Sequence, residues 1–512
     1  MFQINDLISN LFKLPKLIKK EKQAVKGYCF SNLPCTMRHE RSHTKVIATI
    51  GPATRNKEIL REMFIEGLDV CRINCSHGTH EEHLQTIRFV RELNEELGSH
   101  VAILADLQGP KLRIGDMKDD GVELREGQEF SFVTTPCTGT EEKAYISYSQ
   151  LPADTTRGET ILVDDGKLVF EVLETNGKDR VTTRVIAGGI LSSRKGVNLP
   201  HTGVSLPSLT EKDIRDATFA LDNGVDWIAL SFVRREKDIR DLRELVDAHP
   251  GSARIIAKIE KPEALNEIDG IISAADGIMV ARGDLGVEVD FDRVPLIQKQ
   301  IIKKCTACSK PVIVATQMME SMIHNPTPTR AEANDVANAV LDGADTVMLS
   351  GETSVGKYPV ATIRNMQKII DSTETEEFMF YKMHPPVPES ETFLADSICY
   401  NAVRLAEQVK AAAIITLTHS GYTALKISSH RPKAPIFTFT MNQDLISDLS
   451  LVWGVRAFYF AECSQFNDYI DYTDEFLVGQ KLLKQGDLVV HVGSIPILEK
   501  GKTNMMKLTR VS

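Results

Sequence analysis

No apolar run in the 512 residues is long enough to span a bilayer, which excludes a membrane-spanning helix. Positive charge is also scarce. With 60 Lys and Arg against 70 Asp and Glu the formal charge is −10, whereas a protein that neutralises phosphates along a duplex needs a broad basic surface. Nucleic acid is excluded as the main partner, and small molecules are the expected ligands. Cysteines are few and unpatterned: nine, an odd count, scattered and with no secretory signal before them. Disulfides are not expected, and a reducing, cytoplasmic setting is. What is present is ordinary for a globular enzyme, with 42% hydrophobic and 25% charged residues in a length that holds about three folded units.

Residues 1–43 stand apart. Eight Lys and Arg against Asp6, Glu21 and Glu40 give +5, and Leu7, Ile8, Leu11, Phe12, Leu14, Leu17 and Ile18 form a helix-like apolar stripe. Organelle targeting matches in part, but transit peptides favour Ser and Arg, and this segment prefers Lys and contains Pro15. A disordered or loosely docked basic arm, or an upstream extension with the natural start at Met37, is the favoured expectation.

The body alternates short β-branched runs with polar clusters and then helical periodicity. Eight runs read as buried parallel strands: Val46–Ile50, Val70–Asn74, Val101–Asp106, Trp227–Ser231, Ile255–Ile259, Gly277–Ala281, Val312–Thr316 and Thr346–Ser350. Eight βα units predict a TIM (β/α)8 barrel. The rhythm breaks once, between Gly109 and Leu206, where Gly-rich turns and the segment EVLETNGKDRVTTRV read as hairpins. After about residue 377 it resumes with strands at Ala413–Thr418, Pro435–Thr440, Val455–Phe460 and Leu488–Val492. The expected organisation is an α/β chain in four parts. They are the extension 1–43, a barrel of 44–109 and 207–377, an inserted β-barrel-like domain at 110–206, and a C-terminal α/β domain at 378–512.

In such a barrel the chemistry sits where the C-terminal strand ends converge. Those ends carry Thr49, RINCSHG, DLQGPKLR, SFVRR, KIEKPE, ARGDLG, TQMMES and SGET. One Ser, Thr or Asp there is usually a helix cap, but eight polar ends together point to a site. Strand alternation turns Lys258 and Glu260 to the same face, and the next strand supplies Asp284. Two carboxylates beside a lysine suit a hard divalent ion such as Mg²⁺ or Mn²⁺ that keeps positions open for substrate oxygens. A structural Lys258–Glu260 ion pair is the bland alternative. Arg72 adds a bidentate donor for phosphate, and Gly283 in GDLG presents backbone N–H groups to an anion.

RIIAKIEKPEAL resembles the signature segment of the pyruvate kinase family, and NCSHG, MVARGDLGVE, ATQMMESMI and PTRAEANDVANAVLDGADTVMLSGET follow in that family's order and spacing. The resemblance covers roughly residues 44–512 and implies transfer of the phosphoryl group of phosphoenolpyruvate to ADP. It implies Glu260 and Asp284 as metal ligands, and Lys258 and Arg72 on the transferring phosphoryl group. Gly283 and Asp284 also belong to the substrate site. Thr316, with water and Ser350, would protonate the enolate. Asn74, His77, Arg113 and Lys195 match the nucleotide side, with Lys195 on the inserted domain. A homotetramer is also implied.

One loop departs from many family members, which read Asp-Thr-Lys-Gly-Pro-Glu and need K⁺. Here Asp106, Leu107, Gln108, Gly109, Pro110 and Lys111 stand instead, with Ile114 changed too. This resembles the K⁺-independent branch: Lys111 is expected to replace K⁺ near Asn74, Ser76 and Asp106. A solvated lysine is the alternative.

The string His77, His80, His83 drifts around a helix and lacks a fourth zinc ligand. Cys305 and Cys308 form a lone CxxC, which reads as packing. Arg-Gly-Asp within RGDLG follows a buried strand, which opposes an adhesion role. In TLTHSGYTA, Thr418, Ser420, Gly421 and Thr423 match the family's effector loop, with Lys426 and Arg431 nearby, so a phosphorylated effector is expected there. A plain N-cap is the alternative. Two rival functions remain at this level. A catalytically silent effector-binding homologue is opposed by Arg72, Lys258, Glu260, Asp284 and Thr316. An aldolase-type or other phosphoenolpyruvate-using barrel would lack the inserted domain and Lys195.

Overall fold

The computed structural model describes residues 42–200, 202–203, 205–460, 466–496 and 503–512, so the targeting question raised by the N-terminal segment lies outside the described residues. Eight parallel strands close a barrel: β1 (Lys45–Ile50), β2 (Val70–Asn74), β3 (Ala102–Asp106), β4 (Trp227–Leu230), β5 (Arg254–Ile259), β6 (Gly277–Ala281), β7 (Val312–Ala315) and β8 (Thr346–Leu349). Each pairs with its neighbours in sequence, and β8 closes on β1 with Lys45 opposite Thr346.

Alternation along the strands sorts side chains into two apolar cores. Val46, Ala48, Ile255, Ala257 and Ile259 face the surrounding helices, while Ile47, Val70, Leu104, Trp227, Ile256, Met279 and Ile313 fill the barrel interior. On the inward set, one step further toward the C-terminal ends, the residues turn polar: Thr49, Arg72, Asp106 and Lys258. The helices between strands stop and start on local chemistry. Thr329 and Glu332 form a capping box at the start of helix Arg330–Asp342, and Gly343 at φ 99° ends it.

Between β3 and β4 the chain forms a six-stranded sheet and a two-stranded sheet. The hairpin expected from EVLETNGKDRVTTRV is present as Leu168–Thr175 paired antiparallel with Arg180–Ala187. Its core is separate from that of the barrel and centres on Phe130, Phe132 and Phe170, whose rings meet edge-on or tilted.

The C-terminal sheet holds β9 (Ala413–Leu417), β10 (Ile436–Thr440), β11 (Val455–Tyr459), β12 (Leu488–Gly493) and β13 (Met505–Arg510) in the order β11-β10-β9-β12-β13. Strand order reverses between β9 and β12, the position at which open α/β sheets leave a crevice. Strand β13 runs antiparallel to β12 and was not expected from the sequence; its residues are half-exposed and its run is short. This domain plugs the floor of the barrel. Leu451 joins the interior core, and its carbonyl accepts from Thr346 Oγ1 at 2.8 Å. Arg431 is buried in the same seam, ion-paired with Asp345 at 2.9 Å and stacked over Trp453, so it acts as a strut and is not free to hold an effector.

Candidate active site

The polar layer at the mouth of the barrel is built from adjacent strands in register. Asn74 lies opposite Asp106 on β2 and β3, and Ala229 of β4 lies on the other side of Asp106. Asp106 is almost wholly buried and takes two cations. Arg72 Nε donates to its Oδ2 at 2.7 Å, and Lys258 Nζ stands 3.1 Å from its Oδ1. Arg72 also donates to Thr49 Oγ1 at 2.8 Å. Lys258 reaches Glu260 Oε1 at 2.9 Å and Ser231 Oγ at 2.7 Å. Burial works against a charge on Lys258, but Asp106 and Glu260 outweigh it and hold the ammonium's pKa above its ordinary value. Asp106 is held below the usual carboxylate range: burial opposes this, and Lys258 and Arg72 prevail.

Glu260 behaves differently. Burial and the nearby negative charge of Asp284 push its carboxyl upward, even though Lys258 and the Phe232 N–H, which donates to Oε2 at 2.8 Å, favour the anion. Two acidic side chains are thus held against their mutual repulsion at the mouth of the barrel. A hard divalent cation is the group that relieves this, and carboxylate oxygens are the donors that Mg²⁺ and Mn²⁺ take. The residues present fit such an ion.

The ends of β6 and β7 meet in a second feature. Thr316 and Gln317 both sit in the left-handed region, at φ 69° and 54°, an arrangement that costs free energy for non-glycine residues and recurs at functional sites. Gly283 N–H donates to Thr316 Oγ1 at 2.6 Å, and the Arg282 guanidinium, itself ion-paired with Asp335, donates to the Thr316 carbonyl at 2.7 Å. Arg282 was not singled out from the sequence, where it reads as the first residue of a helix. Ser231 was also missed as a partner of Lys258, although its alternation with Ala229 places it on the same inward face. Ser350 stands at the end of β8 with its N–H donating to Glu352, and among the described residues no hydrogen bond joins it to Thr316.

Over this mouth lies the inserted domain. A cleft of about 950 Å³ is lined by its Lys111 and Asp165 together with Arg282, Gly283, Asp284 and Gln317 of the barrel. Lys195 belongs to the inserted domain and pairs with Asp164 at 2.9 Å, and Arg113 donates to the Arg194 carbonyl at 3.0 Å. His77 is held below the ordinary imidazole range, first by burial and then by the positive charges of Arg113, Lys111 and Arg72. Gly109 brings the strand-three loop against Ser231 and Phe232: a Cβ there would lie 2.8 Å from the Phe232 ring. Asn74, opposite Asp106, accepts from Ser76 N–H through its Oδ1 at 3.1 Å. Lys111 is exposed in the cleft and forms no ion pair with Asp106.

Comparison with known proteins decides which family this constellation represents. The family model described as pyruvate kinase, barrel domain, matches residues 41–363, and that of the pyruvate kinase alpha/beta domain matches residues 396–509. The chain belongs to the pyruvate kinase family. It is 44% identical to the pyruvate kinase of Geobacillus stearothermophilus over 476 residues, 92% of this chain and 80% of that one. To the Mycobacterium tuberculosis enzyme it is 41% identical over 91% of this chain and 98% of the relative. The crystal structure of a pyruvate kinase from Cryptosporidium parvum superposes with a TM-score of 0.85 at 36% identity, covering 92% of this chain and 96% of that one. As a member of the pyruvate kinase family, the chain is a phosphotransferase of glycolysis that forms pyruvate and ATP from phosphoenolpyruvate and ADP, and the family generally uses Mg²⁺.

Proposed function

We propose that Lys258, Arg72, Glu260, Asp284 and Thr316 carry this reaction, on one observation above all: Lys258 is charged and buried between Asp106 and Glu260, facing Asp284, under the inserted domain. Glu260 and Asp284 would hold Mg²⁺, which would supply charge neutralisation to the anionic substrate. Lys258 and Arg72 stabilise the anionic transition state of the transferring group from fixed positions, so little reorganisation is needed as charge develops. Asn74, His77, Arg113 and Lys195 form the nucleotide side, and Gly283 with Asp284 the substrate side. The inserted domain, moving over the cleft, keeps water from competing as acceptor.

Thr316 delivers the proton to the enolate carbon through water, with Ser350 alongside; its hydroxyl is aligned by Gly283 N–H and by its own donation to the Ala315 carbonyl at 2.6 Å. Thr316→Ala is expected to slow deuterium exchange into the methyl group of pyruvate by about 10²-fold, the usual worth of a positioned proton donor. ATP release in rapid-quench runs should fall by less than about tenfold, since the phosphoryl group does not depend on that hydroxyl. Equal losses in both assays would remove Thr316 from the proton relay.

The reading extends to K⁺ independence. Support comes from Lys111 lining the cleft and from the effect of its charge on His77, whose N–H donates to the Asn74 carbonyl. Turnover in K⁺-free, Na⁺-free buffer is expected to match that with KCl. Lys111→Glu should then require K⁺, with a stimulation of about tenfold for one restored charge. Wild-type turnover that appears only with K⁺ would sink this part and leave the kinase standing.

A phosphorylated effector is proposed at the C-terminal end of β9. Gly421, at φ 88°, donates its N–H to Thr418 Oγ1 at 3.0 Å, and Thr423 Oγ1 meets Thr503 Oγ1 at 2.7 Å. Ser420 is exposed in the same turn. Lys426 is engaged by Asp396 at 3.0 Å, so hydroxyls and backbone N–H groups would provide the contacts. A cytoplasmic homotetramer completes the proposal; no helix of the described residues is long and apolar enough to cross a membrane.

A further inference from the structure

Lys261 follows the metal carboxylate Glu260 directly, yet its side chain is not turned into the barrel mouth. It is 10% exposed and pairs with Glu288 Oε1 at 2.6 Å, and the Glu288 side chain is only 1% exposed. The same Oε1 accepts Asn198 Nδ2 at 2.8 Å. These three residues come from three segments. Asn198 lies in the last strand of the inserted domain, Val197–Asn198, where it pairs with Leu162. Glu288 ends helix Arg282–Glu288, which opens with Arg282, Gly283 and Asp284. Lys261 stands at the end of the β5 segment.

One buried carboxylate oxygen therefore joins the inserted domain to both segments that carry the metal carboxylates. The space beside it supports a seated joint. The crevice lined by Asn198, Lys261, Asp165 and Asp284 holds only about 30 Å³, room for roughly one water, while the cleft that Asp165 and Asp284 also line opens to 950 Å³. A domain held at one tight contact and bordered by an open cleft turns about the contact.

We infer that Asn198, Glu288 and Lys261 form the pivot of the inserted domain, and that Glu288 is a positioning residue that sets Asp284 and Glu260 in register with that domain. The inference rests on the cleft being the ADP site. Removing the Asn198 arm frees the domain and leaves the carboxylates in place. Removing the Lys261 arm leaves Glu288 buried without its cation and lets the Asp284 helix shift.

Three variants of the full chain separate these effects, read by hydrogen–deuterium exchange across residues 110–200 without nucleotide, by Mn²⁺ titration followed by electron paramagnetic resonance, and by kinetics. Asn198→Ala is expected to speed exchange in the inserted domain and raise the KM for ADP by about tenfold, the worth of one hydrogen bond to a charged group, with kcat changed less. Its Mn²⁺ affinity should stay within about twofold of wild type. Lys261→Met should weaken Mn²⁺ binding by about tenfold, and Lys261→Arg, which keeps the charge, should restore it. Wild-type exchange and ADP kinetics in Asn198→Ala would overturn the pivot. Unaltered Mn²⁺ binding by folded Lys261→Met would overturn the positioning role, as would a loss of thermal stability with no other change. Absence of ADP-dependent turnover in the wild type would instead defeat the reading of the cleft, and exchange and Mn²⁺ binding would still judge the pivot.

Discussion

Lys258→Met is expected to lower kcat by about 10³-fold, the upper range for removing one preorganised electrostatic group from a phosphoryl or acyl transition state. The substitution keeps the length and apolar stem of the side chain and removes only the ammonium that joins Asp106, Glu260 and Ser231. The fold should persist, because Arg72 still holds Asp106 at 2.7 Å. A second consequence separates loss of charge from simple damage. Glu260 is already pushed above the ordinary carboxylate range, first by burial, and Lys258 is the strongest influence pulling it back. Without Lys258 its carboxyl rises further, so on acidification it is protonated at a higher pH, and Mn²⁺ should be lost at a higher pH in the variant than in wild type. A variant that retains more than about a tenth of wild-type kcat would show that Lys258 does not face the transferring group.

Asp106→Asn is expected to cost about 3–5 kcal/mol of stability, because it strands two buried cations that share one carboxylate. The amide keeps the shape of the side chain, so the loss is electrostatic rather than a packing defect. The sign of its pH dependence follows from the lowered pKa of Asp106, with burial opposing and Lys258 and Arg72 prevailing. A depressed carboxyl contributes stability that is present above its unfolded value and is lost as pH falls through its folded value. The difference between wild type and variant should therefore be flat above about pH 5 and shrink only in acid. Chemical denaturation midpoints across that range check it. A variant within about 1 kcal/mol of wild type at pH 7 would mean that solvent or a relaxed Arg72 takes over the pairing.

Much of this architecture is legible in the sequence because period-two alternation and buried β-branched runs leave few choices. Lys258 and Glu260, two apart on one strand, had to share a face, and the polar strand ends had to meet if the strands closed. What could not be read depends on neighbours distant in sequence. Asp106 holds both Arg72 and Lys258 because β2 adjoins β3 and the closed barrel brings the inward side chain of β5 past β4 to the same layer, a fact of closure and register and not of local pattern. Arg282 looks like a helix start, and its contact with the left-handed Thr316 depends on how β6 and β7 pack. Glu288 and Lys261 are 27 residues apart and Asn198 is 90 from Glu288, so no motif spacing reveals their junction. Strand β13 escaped because Met505–Arg510 carries only a weak, half-exposed alternation. Lys111 is the opposite case. The sequence singled it out through a departure from a family motif, and the structure leaves it exposed along the cleft and not paired with Asp106.

The most direct measurement is the yield of ATP and of pyruvate from the purified chain with phosphoenolpyruvate, ADP and Mg²⁺, repeated after chelation. One ATP for each pyruvate, both abolished when the metal is removed and restored when it is returned, is the expected result. Pyruvate without ATP, or turnover that survives chelation, would contradict phosphoryl transfer by Lys258 beside a metal held on Glu260 and Asp284.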